Sequence, residues 1–60
     1  MHSVRVILTT VDIFGDPNEI TIRSVNDIEI EDGILTLRKG DKVRAEFSTG
    51  NWAYYEVIAG

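Results

Sequence analysis

Four carboxylates crowd one short stretch, Asp27, Glu29, Glu31 and Asp32, and the alternation of side chains along an extended chain puts the first three on one face at intervals of about 6–7 Å. A row of that kind can imitate a phosphate backbone. One reading is therefore an acidic decoy that occupies the basic groove of a nucleic-acid enzyme. The plainer reading makes the same residues the solvent side of a half-buried strand, where opposite charges across neighbouring strands add modest stability. A second constellation follows Gly50, where Asn51, Trp52 and Tyr54 precede the end of the chain. If Tyr55 points inward, strict alternation sends Trp52 and Tyr54 outward, and exposed aromatics with one polar atom anchor protein interfaces. The alternative is that the sheet curls and Trp52 closes the end of a barrel as core. Stacking on bases lacks support from positive charge, because the nearest helpful cations are Lys42 and Arg44 on the preceding strand.

The remaining reactive groups do not assemble into a catalyst. His2 is the single imidazole and stands beside the first methionine, where a frayed, solvated end is expected. Asp12, Asp16 and Asn18 loosely suggest a calcium loop, but their spacing differs from that of an EF-hand and no bidentate glutamate stands at the twelfth position. Hydroxyl groups occur without a base to activate them, and a carboxylate pair would need a concave, partly apolar pocket that so small a chain has little room to build. No enzyme activity, cofactor, metal or small-molecule substrate is expected.

Sixty residues make one domain, residues 1–60, and a chain of that size buries only about 60% of the surface its unfolded form exposes. With no cysteine there is no disulfide to support such a core, which leaves oligomerisation as the remaining aid. Ten acidic residues against six basic ones give a net charge of −4, a field that opposes approach to phosphates, so nucleic acid is not an expected direct partner. No apolar run reaches the roughly 20 residues of a membrane span, and the first five residues lack the apolar segment of a signal peptide. A cytoplasmic protein without a membrane partner is the expectation.

These residues must be positioned by strands. No window carries the i, i+3, i+4, i+7 stripe of an amphipathic helix, whereas residues 27–37, 37–47 and 47–57 alternate polar and apolar side chains around glycine-bearing turns. Residues 4–14 are rich in Val, Ile and Thr. Val4, Val6 and Leu8 share one parity, and Ile7, Val11 and Ile13 the other, so a bend or bulge is expected near Thr9-Thr10. Gly15-Asp16-Pro17-Asn18 predicts the first turn, residues 19–25 a strand with Ile20 and Ile22 on one side, and Ser24 to Asn26 a change of register.

Asp32-Gly33 favours a type I′ hairpin turn, because both central residues must accept positive φ. As a two-residue loop it sets Glu31 against Ile34, Ile30 against Leu35, Glu29 against Thr36, Ile28 against Leu37 and Asp27 against Arg38. A reversal over residues 38–42 then places Val43 opposite Leu37, Ala45 opposite Leu35 and Arg44 opposite Thr36. A last reversal at residues 48–51, if Trp52 belongs to that loop, brings Tyr55 to Ala45 and Val57 to Val43. The expected core is Ile28, Ile30, Leu35, Leu37, Val43, Ala45, Phe47, Tyr55 and Val57, with Ile20 and Ile22. The fold class is all-β: an antiparallel meander of about six strands, closed as a small SH3-like or OB-like barrel or completed as a sheet that dimerises.

The string Asp32-Gly33-Ile34-Leu35-Thr36-Leu37 followed by Gly40-Asp41-Lys42-Val43 resembles the hairpin grammar of the swapped-hairpin transcription factors related to AbrB, without their helical segment and with the two pieces in the opposite order. That family's DNA binding is not carried across. A broader likeness is to short acidic β-proteins of actinobacteria and their phages, in which D-G-[IV]-L-x-L, E-F and G-x-W follow in that order. Here those positions are held by Asp32 to Leu37, Glu46-Phe47 and Gly50-Asn51-Trp52. The likeness implies a source and a fold rather than an activity. The function expected from all of this is a non-enzymatic protein-binding module or accessory protein, whose partner is another protein or a second copy of itself. The acidic decoy is the alternative.

Overall fold

The computed structural model describes residues 1–59 and contains six strands and no helix among them. In chain order they are β1 (His2–Val11), β2 (Pro17–Val25), β3 (Asp27–Glu31), β4 (Ile34–Lys39), β5 (Lys42–Phe47) and β6 (Trp52–Ala59). All pairings are antiparallel, and the strands divide into two sheets ordered β2-β1-β6 and β3-β4-β5. The sheets approach each other where β2 meets β4 and β5, and their inner faces share one core of Val4, Val6, Val25, Leu35 and Leu37. An extent of 13 Å in the thinnest direction matches two sheets with one layer of side chains between them.

The β3–β4 hairpin has the expected register throughout, from Asp27 opposite Arg38 to Glu31 opposite Ile34. Its turn has φ of 53° at Asp32 and 78° at Gly33, the two left-handed residues that a type I′ turn requires. Gly33 is constrained a second time by its surroundings. A Cβ there would lie 2.9 Å from the Thr49 side chain, whose hydroxyl donates to the Asp32 carbonyl at 2.6 Å. The change of register between β2 and β3 also occurs as expected, with Ser24 at φ 60° and the Asn26 amide donating to the Arg38 carbonyl.

Four expectations need correction. The first turn lies earlier than Gly15-Asp16-Pro17-Asn18: the chain reverses over residues 12–16, and Pro17 already begins β2. The Asp12 side chain makes the difference, accepting the amides of Phe14 and Asp16 and so nucleating the turn upstream of the proline. β1 accordingly ends at Val11, and it starts at His2, which pairs with Val25 while remaining exposed.

The reversal after β4 is a two-residue loop, Gly40-Asp41, that sets Lys39 against Lys42 and Arg38 against Val43. Arg44 is then an extra residue, and beyond it Ala45 faces Leu37, Glu46 faces Thr36 and Phe47 faces Leu35. The bulge turns Val43 to the side of Arg38 and away from the core. It also replaces the expected Arg44 opposite Thr36 by Glu46.

The meander stops after β5. β6 pairs with β1 instead, so Tyr55 faces Val6 and Val57 faces Val4, rather than Ala45 and Val43. The expected core list is right for Leu35 and Leu37 and in part for Ile22, Ile28, Ala45, Phe47 and Tyr55, which pack against the buried cluster. Ile20, Ile30, Val43 and Val57 are instead 42–53% exposed. Ile20, Ile30 and Val57 lie on edge strands, and Val43 is turned out by the bulge. The central positions are taken by Val4 and Val6 on β1, which has a partner on both sides. The irregularity expected near Thr9-Thr10 is present as a shift of pairing between Ile7 and Val11; ahead of it plain alternation places Val4 and Val6 on the inner face and Ile7, also buried, on the outer one.

Candidate functional site

The aromatic constellation does not form one surface. β6 carries an extra residue, Ala53, between the pairs Ile7–Tyr54 and Leu8–Trp52, and this bulge reverses the parity that simple alternation assigns to Trp52. The indole therefore lies on the inner side with Leu8, half-buried against the core, and its Nε1 donates to the Gly33 carbonyl at 2.8 Å. Tyr54 points the other way and is exposed beside the Arg5–Glu56 ion pair on the outer face. The hydrogen bond and the charge of Glu56 hold the Arg5 guanidinium above its ordinary pKa, so the guanidinium keeps its charge. Asn51 is exposed in the β5–β6 loop, which its backbone ties to Ser48 and Thr9.

The acidic row does come together, with an added member. On the outer face of the β3-β4-β5 sheet an open hollow of about 220 Å³ is lined by Glu29, Glu31, Asp32 and Glu46, with Thr36, Arg38 and Ile34. Glu29 and Glu46 flank Thr36 from the two neighbouring strands. Asp27 lies outside the hollow, opposite Arg38. Arg38 is the one cation there; its Nη2 lies 3.7 Å from the Glu29 carboxylate, and its Nε is sealed from solvent without an acceptor. A single arginine among four carboxylates leaves the hollow strongly negative. Glu46 was missed in the sequence because only the Arg44 bulge brings it opposite Thr36.

A third feature was not anticipated. The β1–β2 turn carries Ile13 and Phe14 at its tip, 93% and 82% exposed, with Val11 also exposed beside them. The tip has a defined geometry. Asp12 Oδ1 accepts the amides of Phe14 at 2.8 Å and Asp16 at 3.0 Å, the Asp12 amide donates to the Asp16 carbonyl, and the Gly15 amide donates to the Asp12 carbonyl. At the base, Asn18 Nδ2 donates to Thr10 Oγ1. Two large apolar side chains are thus presented to water on a braced loop. The signal in the sequence was the pair Ile13-Phe14 directly before Gly15, which extending the strand as far as Phe14 concealed.

Among the described residues, no group of three or more His, Cys, Asp and Glu side chains could hold a metal ion. Among the described residues, no helix is long and apolar enough to cross a membrane. No family model, curated protein or solved structure matches this chain.

Proposed function

We propose that this chain is a non-enzymatic protein-binding module, an accessory protein acting through a protein–protein surface whose anchor is the β1–β2 tip. The observation that carries the reading is the exposure of Ile13 and Phe14 on a turn braced by Asp12. Exposed aromatic and branched side chains on a rigid loop gain affinity when a partner buries them, since little ordering entropy remains to be lost. The absence of cysteine suits a reducing compartment such as the cytoplasm.

Capture from an extract of the native host, with wild type and Phe14→Ser compared side by side, tests this. Phe14 packs against nothing in the core, so the variant keeps its circular dichroism and melting transition. The expected result is a defined host protein retained by wild type and reduced at least tenfold with the variant. An identical captured set from both proteins refutes the tip as anchor.

The hollow supports a second reading, an acidic inhibitor that mimics nucleic acid. It is favoured by the register that adds Glu46 to Glu29, Glu31 and Asp32. Its affinity for a basic target would fall at least tenfold between about 50 and 500 mM salt and be lost in Glu29→Gln/Glu31→Gln. Binding through the tip would be unchanged in Glu29→Gln/Glu31→Gln, and that difference separates the two readings.

A further inference from the structure

The tip and the opposite end of the molecule are complementary. From residue 9 to residue 22 the chain carries three acids, Asp12, Asp16 and Glu19, and no cation, so the exposed Ile13 and Phe14 stand in a negative field. Residues 38–44 carry four cations, Arg38, Lys39, Lys42 and Arg44, against one acid, Asp41. Arg23 joins them, because the Arg44 guanidinium reaches across from β5 and donates to the Arg23 carbonyl at 3.3–3.4 Å. Among the described residues, Arg23, Lys39, Lys42 and Arg44 have no carboxylate partner. At the same end Val43, turned by the bulge to the side of Arg38 and so to the other face from Lys39 and Lys42, exposes half of its surface.

The two patches lie at opposite ends of β2: Pro17 follows the tip, and Arg23 adjoins the cations six residues, or about 20 Å, further along. A patch on one end that complements a patch on the other cannot be satisfied within one molecule. It produces a head-to-tail contact that continues from copy to copy.

We propose that the occupant of the basic β4–β5 end is the β1–β2 tip of a second copy of this chain, seated across the β5 edge with Ile13 and Phe14 packed on Val43 and the acids of the tip reaching Lys39 and Lys42 on the other side of that edge. The proposal rests on the tip being a binding element and names its partner. A tip of this size covers less than the roughly 1,200 Å² buried at stable interfaces, so association is reversible and grows with concentration. It also weakens with salt, because the facing charges are exposed.

Sedimentation velocity over a concentration series tests the arrangement. Wild type is expected to form open-ended oligomers at low salt, with an association constant that falls about tenfold between 50 and 500 mM salt. Phe14→Ser and Lys39→Glu/Lys42→Glu, all at exposed positions that leave the core intact, are each expected to remain monomeric alone. Mixed together, they are expected to form a one-to-one heterodimer, because one supplies the intact basic end and the other the intact tip.

A wild type that stays monomeric at millimolar concentration and low salt overturns the proposal. So does assembly that persists in the lysine variant, which would mean tip-to-tip contact, or a mixture that fails to pair. If self-association fails while Phe14→Ser still loses a captured host protein, the tip remains a binding element and only its partner changes. If Phe14→Ser alters neither, both readings fall.

Discussion

Trp52 shows how one side chain's role depends on the pairing of its neighbour in the strand. Because Ala53 is an unmatched residue in β6, the indole is carried to the inner face, where it packs with Leu8 and bonds the Gly33 carbonyl. Truncation therefore acts on folding first. Trp52→Ala is expected to lower unfolding free energy by about 2–3 kcal/mol, below the usual range for fully buried aromatic truncations, because the ring is only half-buried. Trp52→Phe keeps most of the packing but loses the donor to Gly33, for a loss of about 1 kcal/mol. Urea unfolding separates the two. A Trp52→Ala variant of wild-type stability would place the indole outside the core.

Among the elements, the two inner hairpins differ in how much their own residues determine. The β3–β4 hairpin follows from Asp32-Gly33 and the alternation around it, since turn type and loop length fix register locally. The β4–β5 hairpin does not, because its two-residue loop is combined with an extra residue, Arg44, on one strand. The β1–β2 tip depends on Asp12, which holds two amides that otherwise face water. Asp12→Ala is expected to cost about 0.5–1.5 kcal/mol. It should also raise amide hydrogen exchange at Phe14 and Asp16 by at least tenfold while leaving the β3–β4 amides unchanged. Uniform protection across the hairpin in that variant would show that the turn is held by something other than the Asp12 carboxylate.

For the molecule as a whole, six apolar side chains are buried among the described residues, and five of them form the single cluster shared by the two sheets. A chain of this length has a stability of about 3–9 kcal/mol, and removing a buried leucine costs about 2–5 kcal/mol. Leu35→Ala is therefore expected to remove cooperative thermal unfolding or to lower its midpoint by tens of degrees, as followed by circular dichroism. Exposed Ile30→Ala, opposite Leu35 on the same face, is expected to change it little. The contrast locates the core on the central strand of the sheet rather than along its edge.

Strand content, the β3–β4 register and the acidic row were legible in the linear order of residues, because side-chain alternation and turn chemistry act over a few positions. The same order could not say that β6 would join β1 rather than β5. That choice depends on which edges meet when the whole chain closes. Nor could it say that Ala53 and Arg44 would be the unmatched residues. Each such insertion reverses the parity beyond it, and so the assembled sheets alone decided that Trp52 turns in, Val43 turns out and Glu46 joins the acidic hollow. They also left Ile13 and Phe14 without a neighbour, since neither sheet extends over the turn that Asp12 braces.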